Sequence, residues 1–187
     1  MKKTKIKEVV LTCLNQGKLC RIDFRYDLNY RYYIPLIASD KLFLGMEDDD
    51  FILDGYAIRR FKDVTKAQIK EGIYEKILHA EGVFNGIVTP NVDLTDWKTI
   101  FTSLQKKSQN IIVEKESLDE NEWEFVIGRI EKIYKKHVYI RHFDAEGIWQ
   151  SEPYKIPYAE ITTVTFASRY VDVFSKYLSK LPDNFGK

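Results

Sequence analysis

Residues 33–44 read Tyr-Ile-Pro-Leu-Ile-Ala-Ser-Asp-Lys-Leu-Phe-Leu, and residues 129–140 read Arg-Ile-Glu-Lys-Ile-Tyr-Lys-Lys-His-Val-Tyr-Ile. Each stretch places two short apolar segments on either side of a polar turn, a pattern that indicates two consecutive β-strands. At an offset of 96 residues, Ile34 aligns with Ile130. Further along, the offset becomes 103, and Ile58 aligns with Ile161. The alignment predicts that the chain contains the same structural unit twice.

Apolar stripes at helical spacing precede the strand segments in both halves. One stripe runs through residues 6–14 and stops before Gly17, which is a plausible helix end. The other runs through residues 97–104 and follows Asp93 and Thr95, either of which is a candidate N-cap. We therefore predict that a helix opens each unit.

Short strands and a closing helix complete each predicted unit. Residues 20–26 alternate between apolar and polar side chains, the period of a half-buried strand. Strands this short leave no room for crossover helices, so they must pair antiparallel. Closing helices are predicted over roughly residues 66–79 and 168–181. The predicted organisation is a first unit at 1–88, a linker at 89–93 and a second unit at 94–187.

A helix followed by a small, strongly bent sheet of five short strands resembles the Sm-like fold, within the broad class of SH3-like barrels. The likeness is best at residues 53–61 and 156–164, which look like the fourth strand, one-turn helix and fifth strand of such a barrel. Residues 31–61 are also similar to bacterial WYL domains, with Leu-Phe-Leu at residues 42–44 in the Trp-Tyr-Leu position. No helix-turn-helix precedes them, so that family's DNA-binding regulation is not implied. The resemblance implies a mainly β fold with flanking helices, built from two tandem Sm-like barrels.

The composition narrows the class of protein. The chain has 187 residues, of which 44% are hydrophobic, and its 29 basic and 28 acidic side chains leave a formal net charge of +1. This composition excludes disorder, and so small a net charge creates no strong field for nucleic acid. The longest apolar run, residues 32–38, is far shorter than the ~20 residues of a membrane span. We expect a cytoplasmic protein with no membrane association and no cofactor.

Arginines interleaved with tyrosines form the candidate ligand site of the first unit. Guanidinium groups pair with phosphates and tyrosine rings stack on bases, so this mixture suits RNA or a phosphate-bearing ligand. A solvated outer face explains the arginines that alternate with inward residues, Arg21 and Arg25, without a ligand. For Arg59 and Arg60, the structural alternative is ion pairing with the acidic run 47–50. The predicted site consists of Tyr30, Arg31, Tyr32, Arg59 and Arg60.

The remaining candidates favour structural roles. The acidic run 47–50 lacks the ligand spacing of a calcium loop and is interpreted as a charged turn. Cys13 and Cys20 fall on apolar faces, and no histidine spacing suits zinc. Trp149 lies in a longer loop of the second unit, where it either contacts a protein partner or packs beneath the loop.

Two hypotheses for function follow. The first is a non-catalytic binding or scaffold protein that uses one surface for a protein partner, since the sequence contains no catalytic motif. The second is a regulatory module that binds nucleic acid or a small ligand through the Arg/Tyr-rich first unit. Fold resemblance alone does not separate them, because small barrels carry many unrelated functions.

Overall fold

The computed structural model describes residues 2–107, 109–183 and 185–186, and the chain divides into two compact units, Met1–Pro90 and Asn91–Lys187. The elements of the first unit are α1 (Lys3–Gln16), β1 (Cys20–Phe24), β2 (Arg31–Ala38), β3 (Leu42–Asp49), β4 (Ile52–Arg60), a one-turn 3-10 helix (Phe61–Asp63), β5 (Val64–Ile69) and α2 (Ile73–Ala80). Those of the second are α3 (Trp97–Gln105), β6 (Asn110–Lys115), β7 (Glu124–Ile133), β8 (His137–His142), β9 (Tyr154–Pro157), β10 (Thr163–Phe166) and α4 (Arg169–Phe174). None of the helices in the described ranges has the length and apolar character needed to cross a membrane.

The strands of each unit pair antiparallel in the same order. In the first unit, the order across the sheet is β5-β1-β2-β3-β4. In the second unit, the order is β10-β6-β7-β8-β9. Each strand therefore has its counterpart at the same place in the other unit. The sheets and their flanking helices confirm the predicted mainly β class with helices.

The sheet of the first unit is covered on both faces. On one face α1 packs through Ile6, Val10 and Cys13 onto a cluster that includes Ile22 and Phe43. The opposite face carries a smaller cluster of Leu19, Ile34 and Leu78, and Leu78 belongs to α2. The loop after α2 adds Val83, Phe84 and Ile87 to this second cluster. The closing helix and its loop therefore define the face on which the cavities described below lie.

The ends of several helices differ from the predictions. Gly17 ends α1 in the left-handed conformation (φ 62°), as its position indicated. Asp96, not Asp93 or Thr95, caps α3, because its side chain accepts a hydrogen bond from the Thr99 backbone N–H.

The predicted closing helices are too long. Residues 66–69 belong to β5, and α2 begins only after Gly72. The positive φ of Gly72, 117°, changes the direction of the chain between the strand and the helix. The helical spacing predicts that Ile69, Ile73, Ile77 and Leu78 face the core, but Ile73 is 75% exposed, and of the three in α2 only Leu78 is buried. In the second unit, α4 ends at Phe174, well before residue 181.

The residue alignment between the two units is wrong, although the order of elements repeats. Ile34 packs on the closing-helix face of its unit. Ile127 packs on the corresponding face of the second unit, and Ile130, three residues further along β7, points to the other face. Ile58 lies in β4 and pairs with Leu44 of β3, whereas Ile161 lies outside any strand. A shift of one residue reverses the face of every side chain, and sequence pattern alone did not detect it.

Irregularities in pairing give the correct alignment. The β2–β3 ladder shifts register between Pro35 and Ile37, and the β7–β8 ladder shifts between Ile130 and Lys132. Aligning the two bulges places Pro35 on Ile130, one residue away from the predicted offset. Bulges bend and twist a sheet, so each unit is bent at the same point of its second strand.

Candidate functional site

A cavity of about 340 Å³ lies at the end of the β2–β3 ladder. Three of the predicted site residues line it, and so does the acidic run that the sequence analysis interpreted as a turn. Tyr74, from the start of α2, lines it as well. The full lining is Tyr30, Arg31, Tyr32, Glu47, Asp48, Asp49, Asp50 and Tyr74.

Strand register and a tight turn position the acidic side chains. Tyr32 on β2 faces Asp48 on β3, so a ring and a carboxylate are paired across the ladder. Only Asp50 and Phe51 connect β3 to β4, and both have positive φ, 47° and 71°. Positive φ at both positions is the geometry of a type I′ hairpin turn, which usually takes Asn and Gly. A bulky residue such as Phe51 is uncommon in this conformation.

Four aromatic rings form a row beside the acidic run. The ring centroids of Tyr30 and Tyr32 are 5.1 Å apart, and those of Tyr32 and Tyr74 are 5.3 Å apart. Phe51 stacks on Tyr74 at 4.6 Å and completes the row. At the other end, the guanidinium of Arg21 lies 3.7 Å from the Tyr30 ring centroid. Lys70 Nζ lies 5.7 Å from the Tyr32 ring centroid, so the row already holds two cations against ring faces.

Arg31, the predicted phosphate ligand in this cavity, is held by carboxylates. Its Nε and Nη2 atoms donate to Asp27 at 2.8 and 3.2 Å, and its Nη1 donates to Glu47 at 3.0 Å. The Tyr33 hydroxyl donates to the other oxygen of Glu47 at 2.9 Å. These contacts offset the positive charge of Arg31. The aspartates at 48, 49 and 50 then leave the cavity with an excess of negative charge.

Asp48 is the most constrained group in the cavity. It is only 6% exposed, and its Oδ2 accepts a hydrogen bond from the Tyr74 hydroxyl at 2.6 Å. Its Oδ1 is also buried and has no hydrogen-bond partner within the described part of the chain. Burial raises the pKa of Asp48, while the Tyr74 hydroxyl and the Phe51 backbone N–H act to lower it. A buried oxygen without a partner carries an energetic cost that a ligand could remove.

The second unit has a cavity at the corresponding place, but its chemistry differs. Aligned on the bulges, Tyr30, Tyr32 and Asp48 correspond to Phe125, Ile127 and Phe143. All three of these residues line a cavity of about 260 Å³, together with His142, Asp144, Tyr170 and Phe174 among others. Because a Phe occupies the place of Asp48, this position of the fold does not require a carboxylate. The second cavity keeps one carboxylate, Asp144, at the place of Asp49, so the dense cluster of acidic side chains belongs to the cavity of the first unit.

The cavity of the first unit is suited to an organic cation. Ring faces are negative and attract ammonium or guanidinium groups, and carboxylates add the ion pair. No group of three or more His, Cys, Asp or Glu side chains within the described ranges is arranged to hold a metal ion. Phosphate would meet repulsion from three aspartates. The predicted Tyr/Arg cluster thus lies in a cavity whose chemistry favours the opposite charge.

Arg59 and Arg60 lie apart from this cavity. Arg59 is 2% exposed, and its guanidinium lies 3.8 Å from the Phe24 ring centroid, beside the α1 core. Arg60 is 7% exposed and forms an ion pair with buried Asp63. Asp63 also lies 3.4 Å from the Arg25 guanidinium. Arg59 and Arg60 therefore do not line the cavity that Tyr30, Arg31 and Tyr32 share.

Trp149 packs beneath its loop. It is 9% exposed, and its indole Nε1 donates to the Ser179 carbonyl at 2.9 Å. Its ring lies edge-on to Phe143, 5.2 Å between centroids, in a cluster with Val171. Of the two alternatives in the sequence analysis, this placement corresponds to packing.

Two residues were missed by the sequence analysis: Tyr74, which lines the cavity, and Phe51, which stacks on Tyr74. Tyr74 comes from α2, 26 positions after Asp48, and no local pattern connects them. Phe51 gave no usable signal either, because two-residue hairpin turns with positive φ usually carry Asn and Gly, and Asp50-Phe51 does not match that pattern.

Comparison with protein-family models, curated protein sequences and solved structures finds no match to this chain.

Proposed function

We propose that the protein is a non-catalytic binding protein whose first unit binds a cationic group in the cavity between β2, β3 and α2. The observation that carries the proposal is Asp48, a buried carboxylate with one unpartnered oxygen in a cavity walled by tyrosine rings. An ammonium or guanidinium group in the cavity would compensate the charge of the Asp48 carboxylate and cover a ring face. A Lys or Arg side chain of a protein partner supplies such a group.

We also propose that each unit is a variant of the Sm-like barrel. The leading helix, the five antiparallel strands in the same spatial order and the bulge in the second strand all support this proposal. The one-turn helix Phe61–Asp63 between β4 and β5 supports it further in the first unit. Ligand sites of β-barrel proteins occur at the mouths of the barrels, where a few placed polar groups stand among apolar and aromatic side chains.

Calorimetric titration distinguishes this proposal from phosphate recognition. The probes are octalysine and a short oligouridylate, added separately at low salt, where charge effects are least screened. We expect octalysine to bind and the oligouridylate not to bind. Binding of the oligouridylate alone would instead support the prediction centred on Arg59 and Arg60.

A carboxylate exchange localises the binding. Asp48→Asn removes the charge but keeps an acceptor for the Tyr74 hydroxyl, so we expect octalysine affinity to fall about tenfold, the value of one charged hydrogen bond. Glu120→Gln removes an exposed carboxylate of the second unit and is the matched control. An equal loss in both variants would mean that octalysine senses only overall charge, and the proposal would fail.

A further inference from the structure

A second cavity lies directly beside the cation cavity of the first unit. Its volume is about 320 Å³, and its walls are mainly apolar. It lies between the β3–β4 hairpin and the loop that follows α2. The lining residues are Met46, Phe51, Ile52, Leu53, Val83, Asn85, Gly86 and Ile87. We call this cavity the apolar groove.

One stacked pair of rings separates the apolar groove from the cation cavity. Tyr74 lines the cation cavity, Phe51 lines the apolar groove, and their centroids are 4.6 Å apart. Along β3, Asp48 lines the first cavity, and Met46, two residues earlier, lines the second. Residues two apart on a strand share a face and are separated by about 7 Å. A ligand that crosses the edge of Phe51 therefore reaches both cavities.

The apolar groove is open to solvent. Ile52 is 58% exposed and Phe51 is 37% exposed, although both are large apolar side chains. Phe51 is held there in a left-handed backbone conformation that costs roughly 1 kcal/mol for a non-glycine residue. Exposed apolar side chains beside a charged cavity match the two halves of an amphipathic ligand.

We propose that the two cavities together bind a short extended segment of a partner protein that carries a Lys or Arg close to a large apolar residue. The basic side chain enters the cation cavity, and the apolar side chain covers Ile52 and Phe51 in the groove. The proposal rests on the proposed function of the cation cavity and specifies its ligand. Charge complementarity decides the first contact, and the separation of about 7 Å sets a spacing of about two residues along an extended segment.

Capped seven-residue peptides test this proposal. Each carries one Lys and one Leu, separated by one, two or three positions in either order, with Gly and Ser elsewhere. For the tightest peptide of the set, we expect replacement of Leu by Ser to weaken binding about tenfold, as for loss of one partly buried apolar side chain. Replacement of Lys by uncharged norleucine should weaken it by a similar factor.

Protein variants assign each loss to one cavity. The Ile52→Ser variant should bind the peptide with Leu no more tightly than the peptide with Ser. It should still bind the peptide with Lys more tightly than the peptide with norleucine. Ile148→Ser, at an exposed isoleucine of the second unit, is the matched control and should change neither. If Lys is required but the Leu-to-Ser exchange has no effect, this proposal fails while the proposed function stands. If the Lys-to-norleucine exchange has no effect, both fail.

Discussion

Asp48 connects stability to binding at the scale of a single residue. Burial keeps its pKa above the usual 3.8, and the charges of Asp49 and Asp50 act in the same direction. Between 3.8 and this raised value, the folded protein holds a proton that the unfolded chain has lost. Folding therefore takes up a proton in this window, and stability falls as the pH rises through it. The carboxylate is retained at a cost in stability, as expected for a group kept for binding.

Asp48→Asn is the corresponding stability prediction. At pH 7 the variant should be as stable as the original chain or more stable, because an uncharged amide replaces a buried charge. Its advantage should shrink as the pH falls towards 3.8, because the original carboxyl then becomes protonated. Thermal unfolding followed at several pH values measures this difference. A variant less stable at pH 7 than the original chain would show that the charge stabilises the fold.

Phe51 allows a second prediction. Phe51→Gly relieves the strained turn but removes the stacking on Tyr74; each contribution is roughly 1 kcal/mol, so stability should change little. Phe51→Leu keeps the strain and loses the stacking, so it should destabilise by about 1 kcal/mol. Urea unfolding compares the two variants. Equal destabilisation by both would contradict the strain assigned to the turn.

The sequence predicted the individual site residues unevenly. Tyr30, Arg31 and Tyr32 do line one cavity, because residues around the start of one strand stay close together in space. Arg59 and Arg60 do not line that cavity: Arg59 lies on the Phe24 ring in the α1 core, and Arg60 forms an ion pair with Asp63. The sequence analysis also missed the negative charge of the cavity, because one of the two carboxylates that neutralise Arg31, Glu47, comes from β3. Charge partners across strands are set by register, which composition does not specify.

At the scale of elements, the close approach of two strands limits which residue position 128 can hold. A Cβ on Gly128 would lie 2.0 Å from the Arg141 carbonyl oxygen across the β7–β8 ladder. Real Cβ atoms do not approach backbone oxygens so closely, so the strands would have to move apart. The lack of a side chain at Gly128 therefore allows β7 and β8 to pair closely near the cavity of the second unit.

Gly128→Ala should therefore destabilise the protein by about 3 kcal/mol or more. Gly17→Ala is the matched control: a Cβ there meets no atom within 4 Å, and only the left-handed φ of 62° is unfavourable. We expect that variant to cost about 1 kcal/mol. The two midpoints of urea unfolding give the comparison. Similar losses would mean that the β7–β8 ladder can relax around a methyl group.

The elements themselves were predicted better than their ends. Helical stripes located α1 and α3, because a core-facing helix repeats its apolar residues every three or four positions. The closing helices were predicted too long, since Ile69, Ile73 and Ile77 fit the helical spacing while β5 and Gly72 interrupt it. The one-residue shift between units arose because apolar residues also match at an offset of 96, whereas the equivalent bulges, which fix the offset at 95, leave no mark in the apolar pattern.

At the scale of the whole molecule, two units of one topology differ in the chemistry of equivalent cavities. The first unit surrounds its cavity with tyrosines and aspartates, and the second with mostly apolar side chains. The formal net charge of +1 conceals this contrast, because the acidic cavity is offset by basic residues elsewhere in the chain. The amino-acid composition therefore indicates a weak overall electrostatic field, but it does not show where charge is concentrated locally.

The central claim is that the cavity of the first unit binds a cation, and an NMR titration tests it most directly. The probe is the N-acetyl methylamide of lysine, with the norleucine analogue as the uncharged control. Lysine should shift the amide signals of residues 30–32, 47–51 and 74 and leave the second unit unchanged, while norleucine should shift none of them. Shifts caused equally by both probes, or lysine-dependent shifts centred on residues 59–60 or on the cavity of the second unit, would contradict the claim.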